Sequence, residues 1–406
     1  MLPRPLSIWI VSQSYLPYYG GITEHTWHLA AALGARGHCV RIVTGAAGPS
    51  GVGPADADPP GVAVSRVGRT WRVPSNGARA CVTWGWSLRR RLAALPPPRP
   101  DVVHIQSPLE PFLPWEALRR LPGLKIGTFH TAGRRPHWGY RWFAPWLRQR
   151  AAGLAARIAV SETAARYVSD YIPGDCVVIP NGVAPERFAA ATVAASPGHA
   201  ASPVRLLCVG RLDPRKGLPE LLAAIERLEA PARGATVELT LVGDGPLRAA
   251  LERRARRHRL PVHFRGSVAR EQLAGCYADA DLCVAPARDG ESFGICLLEA
   301  LAAGVPIVAA DLAGYRETLR GSGAARFYAA GDASSLAAAL RRLIRAPAER
   351  RALGRAGRRY AARFDWQAIA ARTEALYRET LGRRLPRAVR REIASSPRSV
   401  SASSTS

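Results

Sequence analysis

Lysine is nearly absent from this sequence. Lys125 and Lys216 are the only two in 406 residues, although Lys and Arg together number 57 against 31 Asp and Glu. The resulting net charge of +26 suggests a polyanionic partner, either nucleic acid or an anionic membrane surface. Arginine in place of lysine is also what a GC-rich genome yields without any function attached. Cysteine is sparse and odd in number: seven residues, at 39, 81, 176, 208, 276, 283 and 296, scattered and without a CxxC pair. That excludes a disulfide framework and the usual zinc spacings, and it fits a reducing cytosol. No run of about 18 apolar residues exists to span a bilayer. The opening "MLPRPLSIWIVSQSYLP" lacks the cationic start and cleavage site of a signal peptide and reads as a first β-strand. The spacing GxGxxG is missing, as is an acidic residue closing the second strand, which disfavours a nicotinamide enzyme.

What is present is a regular alternation of apolar strands and helical patterns, with a hydrophobic content of 48% that supplies a core for two or three domains. Ser7 to Ser12, Ile22 to Ala35 and Cys39 to Thr44 read as a βαβ unit. Further strands are expected at 102–106, 126–130, 157–160 and 177–180. A second series runs through 204–210, 237–243, 262–265, 282–285 and 307–310. Between the series, "AAATVAASPGHAASP" (189–203) is small, Pro-containing and linker-like. The expected organisation is therefore a doubly wound domain over 1–188, a linker at 189–203, a second doubly wound domain over 204–365, a final helix at 366–382, and an Arg- and Ser-rich tail, 383–406, of disordered composition.

The stretch "GESFGICLLEALAAGVPIVA" (290–309) carries Glu291 and Glu299 among apolar and small residues. Gly294 to Ala303 reads as a short buried helix ended by Gly304, with Glu299 its only charge. A buried carboxylate needs a partner, so Glu299 either meets a buried arginine or faces a polar cavity where something binds it. Glu291 precedes the helix, where it either caps the helix or meets a ligand. In "LLCVGRLDPRKG", Arg211 ends a strand and Lys216 follows in the loop that opens a helix. Ligands of open α/β sheets bind at the carboxyl ends of strands, so these two cations suit a diphosphate unless the loop is merely solvated. Gly20 and Gly21 lie between the first strand and helix, where backbone can approach phosphate or simply turn. His130, in "GTFHTAG", ends a strand and faces any cleft between domains; a structural role is the plainer alternative. Two stretches mix arginine with large aromatics. One, 84–95, contains Arg89, Arg90 and Arg91; the other, 134–150, contains Arg134, Arg135, Trp138, Arg141, Trp142 and Arg148. They suit a membrane interface, single-stranded nucleic acid or core packing.

Taken together, the order Gly-Gly loop, strand-end histidine, "VIPNGV", "GRLDPRKG" and the Glu-x7-Glu of Glu291 and Glu299 resembles the retaining glycosyltransferases of family four. The resemblance covers residue 7 to about 380. It implies the α/β GT-B fold: two Rossmann-like doubly wound domains, an interdomain cleft, and a crossover helix, opened by "FDW", that returns to the first domain. "GTFHTAG", "RIAVSE" and "GESFGICLLEALAAG" are similar to the actinobacterial phosphatidylinositol mannosyltransferases. On the acceptor side the chain departs from them. It has "HIQSP" (104–108) where they read His-Ile-His-Glu-Pro, and Pro17-Tyr18-Tyr19 where an acidic residue precedes their glycine pair.

By that resemblance Glu291 binds donor-sugar hydroxyls and Glu299 the ribose. Arg211, Lys216 and the Gly21 amide hold the diphosphate, and His130 sits near the transferred sugar. Gly20, Gly243, Ser292, Phe293, Gly294 and Ile295 complete the donor side. Arg89, Arg90, Arg91, Arg134, Arg135, Trp138 and Trp142 form the acceptor or membrane side. The expected donor is a nucleotide-sugar, GDP-mannose. The expected acceptor is lipid-linked, reached from the cytoplasm at the inner membrane face, with no metal site required although Mg²⁺ could accompany the diphosphate. A UDP-sugar transferase making a polysaccharide or small glycoside is the alternative. A weaker alternative is a GT-B-shaped epimerase, or a nucleic-acid binder that has lost catalysis; the intact Glu291, Lys216 and Arg211 argue against lost catalysis.

Overall fold

The computed structural model describes residues 4–47, 57–75, 78–133, 142–194, 203–228 and 237–384. The first domain is an eight-stranded sheet. Its strands are β1 (Ser7–Val11), β2 (Cys39–Ala47), β3 (Ala63–Ser75), β4 (Ala78–Trp84), β5 (Val102–Gln106), β6 (Leu124–Phe129), β7 (Ala156–Ala159) and β8 (Val177–Val178). They are ordered β4-β3-β2-β1-β5-β6-β7-β8, and only the β3–β4 pair is antiparallel. The second domain is a six-stranded parallel sheet of β9 (Val204–Val209), β10 (Val237–Val242), β11 (Val262–Gly266), β12 (Leu282–Ala285), β13 (Ile307–Ala310) and β14 (Ala325–Tyr328). Its order is β11-β10-β9-β12-β13-β14.

The central strands are mostly apolar and buried because both sheet faces are covered, as parallel sheets require. On β1 the alternation assigns each residue to a face. Ile8 and Ile10 join Leu29, Leu33, Trp366 and Tyr377, while Trp9 and Val11 join Val67, Leu92 and Leu113. The final helix, Trp366–Arg384, therefore completes the first domain's core although it follows the second domain in sequence. Polar contacts help fix it there: the Tyr377 hydroxyl lies 2.6 Å from His104 Nδ1, and Arg36 Nε donates to Glu374 at 2.7 Å.

Several expected boundaries move. The helix Pro185–Ala194 runs into the expected linker, so 189–194 are helical, and 195–202 lie outside the described residues. The final helix continues through Arg384, which takes Arg383 and Arg384 from the expected tail; the remainder of the tail is outside the described residues. Strand β14 and the β3–β4 hairpin are additional to the expected strands. The hairpin reads poorly in sequence because Arg66, Arg69 and Arg72 interrupt its apolar alternation.

Candidate active site

The second domain places its charged residues at the carboxyl ends of β9 and β12. After β9 the chain turns through Asp213, whose side chain caps the short 3-10 turn Pro214–Lys216, and leaves by Gly217. Gly217 sits at φ 63°, and a Cβ there would lie 1.8 Å from the Pro286 carbonyl oxygen, so only glycine fits. This turn brings Lys216 Nζ to 2.5 Å from Glu291 Oε1. Burial alone would lower the Lys216 pKa. The adjacent Glu291 carboxylate more than offsets it and holds the ammonium above the ordinary lysine value. Arg211 stands beside this pair, 3.5 Å from the buried Asp213 carboxylate, and Lys216 and Arg211 together line a hollow with Cys208, Cys296 and Tyr315. Glu291 thus has a lysine partner, which the local pattern around it did not disclose.

Glu299 lies in the helix Ile295–Ala303, which is bounded by two left-handed glycines, Gly294 at φ 85° and Gly304 at φ 73°. Gly294 is the cap rather than the first helical residue. Glu299 is buried and accepts a hydrogen bond of 2.9 Å from the Tyr277 hydroxyl, so its direct hydrogen-bond partner is a tyrosine, not a buried arginine. Burial pushes its carboxyl up to about 7; nearby Arg187 pulls the other way and Glu24 reinforces the rise.

The first domain meets these residues closely. A Cβ on Gly21 would touch Ile295 Cδ1 at 3.5 Å, whereas Gly20 faces open space. Gly243, after β10, lies so close to the Gly210 carbonyl that any Cβ would sit 2.0 Å from its oxygen, so its role is to bring two strand-end loops together. Phe293 is buried, and its carbonyl accepts from Thr318 Oγ1. Ser292 ties the domains together: its hydroxyl donates to the His130 carbonyl at 2.6 Å, and its own carbonyl accepts from Ser161 Oγ at 2.6 Å. Two further interdomain contacts had no sequence signal. Glu317 accepts from the backbone amides of Glu162 and Thr163 at 2.5 and 2.9 Å, and Arg270 makes a two-pronged pair with Glu24 at 2.9 and 3.0 Å.

His130 ends β6 with its Nε2 2.7 Å from Gln106 Oε1 and its ring 4.9 Å from that of His25, edge to face. Burial, followed by the neighbouring His25 and His104, holds its pKa well below the usual histidine value, so the ring is neutral at pH 7. With Nε2–H donated to Gln106, Nδ1 is left as an acceptor.

The arginine–aromatic stretches are split. In 84–95, Leu88 and Leu92 pack into the core, while Trp84 and Trp86 are exposed with their rings 5.4 Å apart and tilted, and Trp84 is also 6.4 Å from exposed Phe112. Trp86 is 93% exposed. Arg89 is engaged by Glu116 at 3.3 Å, and Arg90 and Arg91 are exposed. Trp142 is 79% exposed, whereas Arg148 is tied to the Tyr171 carbonyl. Arg134, Arg135, Trp138 and Arg141 lie outside the described residues.

Two doubly wound domains that face each other with strand ends, glycines and cations along the junction constitute the GT-B architecture. Residues 19–187 match the model "Glycosyltransferase Family 4", and residues 203–346 match "Glycosyl transferases group 1". The chain is 33% identical over 360 residues to the phosphatidyl-myo-inositol mannosyltransferase of Mycobacterium leprae, which covers 88% of this chain and 92% of that one. It is 30% identical over 404 residues to the glycogen synthase of Mycobacterium tuberculosis, covering 92% and 94%. The sucrose-phosphate synthase structure from Thermosynechococcus elongatus superposes with a TM-score of 0.72 at 24% identity, covering 92% and 98%. The chain belongs to the family four glycosyltransferases and is a glycosyltransferase.

Proposed function

We propose that the protein transfers mannose from GDP-mannose, with retention, to a hydroxyl of a lipid-linked acceptor at the cytoplasmic face of the membrane. The observation that carries this reading is the Lys216–Glu291 pair, set beside Arg211 and opposite the His130 strand end. In this arrangement Glu291 holds donor-sugar hydroxyls, Lys216, Arg211 and the Gly21 amide take the diphosphate, and Glu299 takes the ribose. As the bond from the anomeric carbon to the diphosphate breaks, charge builds on the leaving phosphate, where two fixed cations stabilise it more than they stabilise the ground state. The acceptor oxygen attacks on the same face and passes its proton to that phosphate. The mannose donor is supported by likeness to the mannosyltransferases. The membrane acceptor is supported by that likeness and by the exposed Trp84, Trp86 and Phe112 near basic residues of the first domain.

The likeness to a glycogen synthase favours a second reading, a UDP-sugar transferase with a soluble acceptor. A thermal-shift screen of GDP-mannose, UDP-glucose, UDP-N-acetylglucosamine and RNA separates the two. The proposal expects the largest rise with GDP-mannose, followed by label transfer from it into a lipid extract; stabilisation by a UDP-sugar alone overturns the donor assignment.

A further inference from the structure

On the face of β5 and β6 that packs against the helices Gly21–Ala35 and Trp366–Arg384, apolar residues give way to polar ones toward the strand ends. Val102, Leu124 and Ile126 belong to the core there, and His104, Gln106, Thr128 and His130 follow on the same face. The parallel register sets His104 against Ile126 and Gln106 against Thr128. Each polar side chain of β5 reaches diagonally to the next residue of that face on β6. His104 Nε2 lies 2.6 Å from Thr128 Oγ1, and Gln106 Oε1 lies 2.7 Å from His130 Nε2. The row ends at His130, the histidine that the proposed reaction sets beside the transferred sugar.

Stability alone does not account for Gln106. Its side chain is buried, and among the described residues its amide nitrogen has no hydrogen-bond partner, which leaves the oxygen's bond to His130. An unsatisfied buried donor costs more than one neutral hydrogen bond returns, so an apolar side chain would serve the core as well. A buried amide kept at such a cost points to what its oxygen does to the ring. That oxygen can only accept, so the proton of the neutral imidazole sits on Nε2 and the Nδ1 lone pair is open. His25 supports the ring from the neighbouring helix. It meets His130 edge to face at 4.9 Å, and its own Nδ1 lies 2.9 Å from Asn181 Oδ1.

We infer that Gln106 is a positioning residue: it holds His130 as the Nε2–H tautomer, so that Nδ1 serves sugar transfer as a hydrogen-bond acceptor for a substrate hydroxyl and not as an acid. The inference rests on the reading of His130 as a residue beside the transferred sugar, and it adds a chemical role to that placement. An uncharged amide is what the role requires. A carboxylate at 106 would stabilise the imidazolium, put a proton on Nδ1 and turn the acceptor into a donor. The other titratable groups around the ring are His25, His104 and Glu110, with the Lys216–Glu291 pair across the domain junction. Burial keeps His25 and His104 neutral at pH 7, with pKa values of about 4 and about 3. Glu110, which accepts from Gln13 Nε2 at 2.7 Å and shares a hollow with His130, is pushed up by burial to about 7. Wild type and variants have all of these in common, so a difference between their pH profiles belongs to position 106.

Two measurements test this. In the first, full-length wild type labelled with ¹⁵N-histidine reports the tautomer through its two-bond N–H couplings, with the His130 signals identified by their loss in His130→Asn. The Nε2–H form is expected at pH 7, and a proton on Nδ1 overturns the inference whatever the substrate. In the second, kcat and KM for transfer from GDP-mannose are followed against pH in wild type, Gln106→Glu and Gln106→Met, with GDP affinity unchanged from wild type showing that each variant is folded. Gln106→Glu is expected to carry the extra proton at pH 7 and to lose roughly tenfold or more in kcat there, recovering as pH rises toward about 9, with donor KM little changed. Gln106→Met, which frees the tautomer without adding charge, is expected to lower kcat at every pH and to keep the wild-type profile shape. If Gln106→Glu also keeps the wild-type profile shape, Gln106 is structural and the inference is overturned. If wild type transfers nothing from GDP-mannose, the donor reading fails, and the tautomer measurement alone decides the role of Gln106.

Discussion

Ser292 Oγ donates a 2.6 Å hydrogen bond to the His130 carbonyl, so the loop that begins the Glu-x7-Glu segment of the second domain is pinned to a strand end of the first. The Glu291–Glu299 segment and the first domain's histidine are therefore held in register by backbone and hydroxyl contacts.

Changing Lys216 to Ala removes the cation that pairs with Glu291 and leaves that carboxylate without its lysine partner. The expected loss is about 10²-fold or more in kcat, the scale of deleting one charge-stabilising donor. Steady-state kinetics at saturating donor check this; an unchanged kcat removes Lys216 from the transition state.

Glu291 and Glu299 should separate kinetically. Glu291→Ala is expected to abolish turnover, while Glu299→Ala mainly weakens donor binding, since its carboxylate contacts the remote ribose in the proposed complex. Equilibrium binding of labelled donor as tight in Glu299→Ala as in wild type would remove the ribose role.

The Glu24–Arg270 pair is buried, with the Arg270 side chain 5% exposed and stacked 4.3 Å from Trp27. Removing one partner of such a pair typically costs roughly 3–5 kcal/mol, because the other charge stays buried. Parting of the two domains can relieve that cost. Arg270→Ala should therefore enlarge the radius of gyration in small-angle scattering without donor, and donor should reverse it. Unchanged scattering together with an unchanged melting temperature would show that the pair does not hold the domains together.

Acid stability should reveal opposing groups. His25 and His104, buried and neutral, have pKa values lowered by burial to about 4 and about 3; their contribution is present above pH 6.5 and is lost as pH falls toward those values. Glu110 and Glu299, raised to about 7, bind protons in the folded state first, so their contribution grows as pH falls from 7 toward 4.5. His130 and His28, also lowered by burial, add to the histidine loss, so the two carboxyls offset it only in part between about pH 6.5 and 4.5. Below that, Glu24 and Glu374, both lowered to about 2, add to the loss. Wild-type melting temperature should fall gently in that window and then drop more steeply. Glu299→Gln should lose stability more steeply than wild type below about pH 6.5, and a wild-type-like profile in it would refute the offset.

At the membrane, wild type is expected to co-sediment with anionic liposomes and be released by high salt. The residues responsible should be the exposed Trp84 and Trp86 with Arg90 and Arg91, because Arg89 is already engaged by Glu116. Each arginine near an anionic surface adds about 1 kcal/mol, and the inserted rings add apolar burial. Trp84→Ala with Trp86→Ala should weaken binding more than deleting 385–406 does; equal sedimentation with neutral vesicles would argue against the electrostatic part.

The sequence by itself determined the two doubly wound domains, because strands buried on both faces must be written as continuous apolar runs and their helices as periodic ones. It also marked Glu291, Glu299, Arg211 and Lys216, since charges in apolar or strand-end settings stand out against their surroundings. Only the tertiary structure decided who meets whom. The Lys216–Glu291 pair spans 75 positions, Tyr277 reaches Glu299 from another helix, and the Arg270–Glu24 contact crosses 246 positions. The Gln13–Glu110 support joins residues 97 apart through a loop with no motif. Side-chain partners so distant in the chain are set by sheet order and domain closure, and a local pattern carries no trace of either.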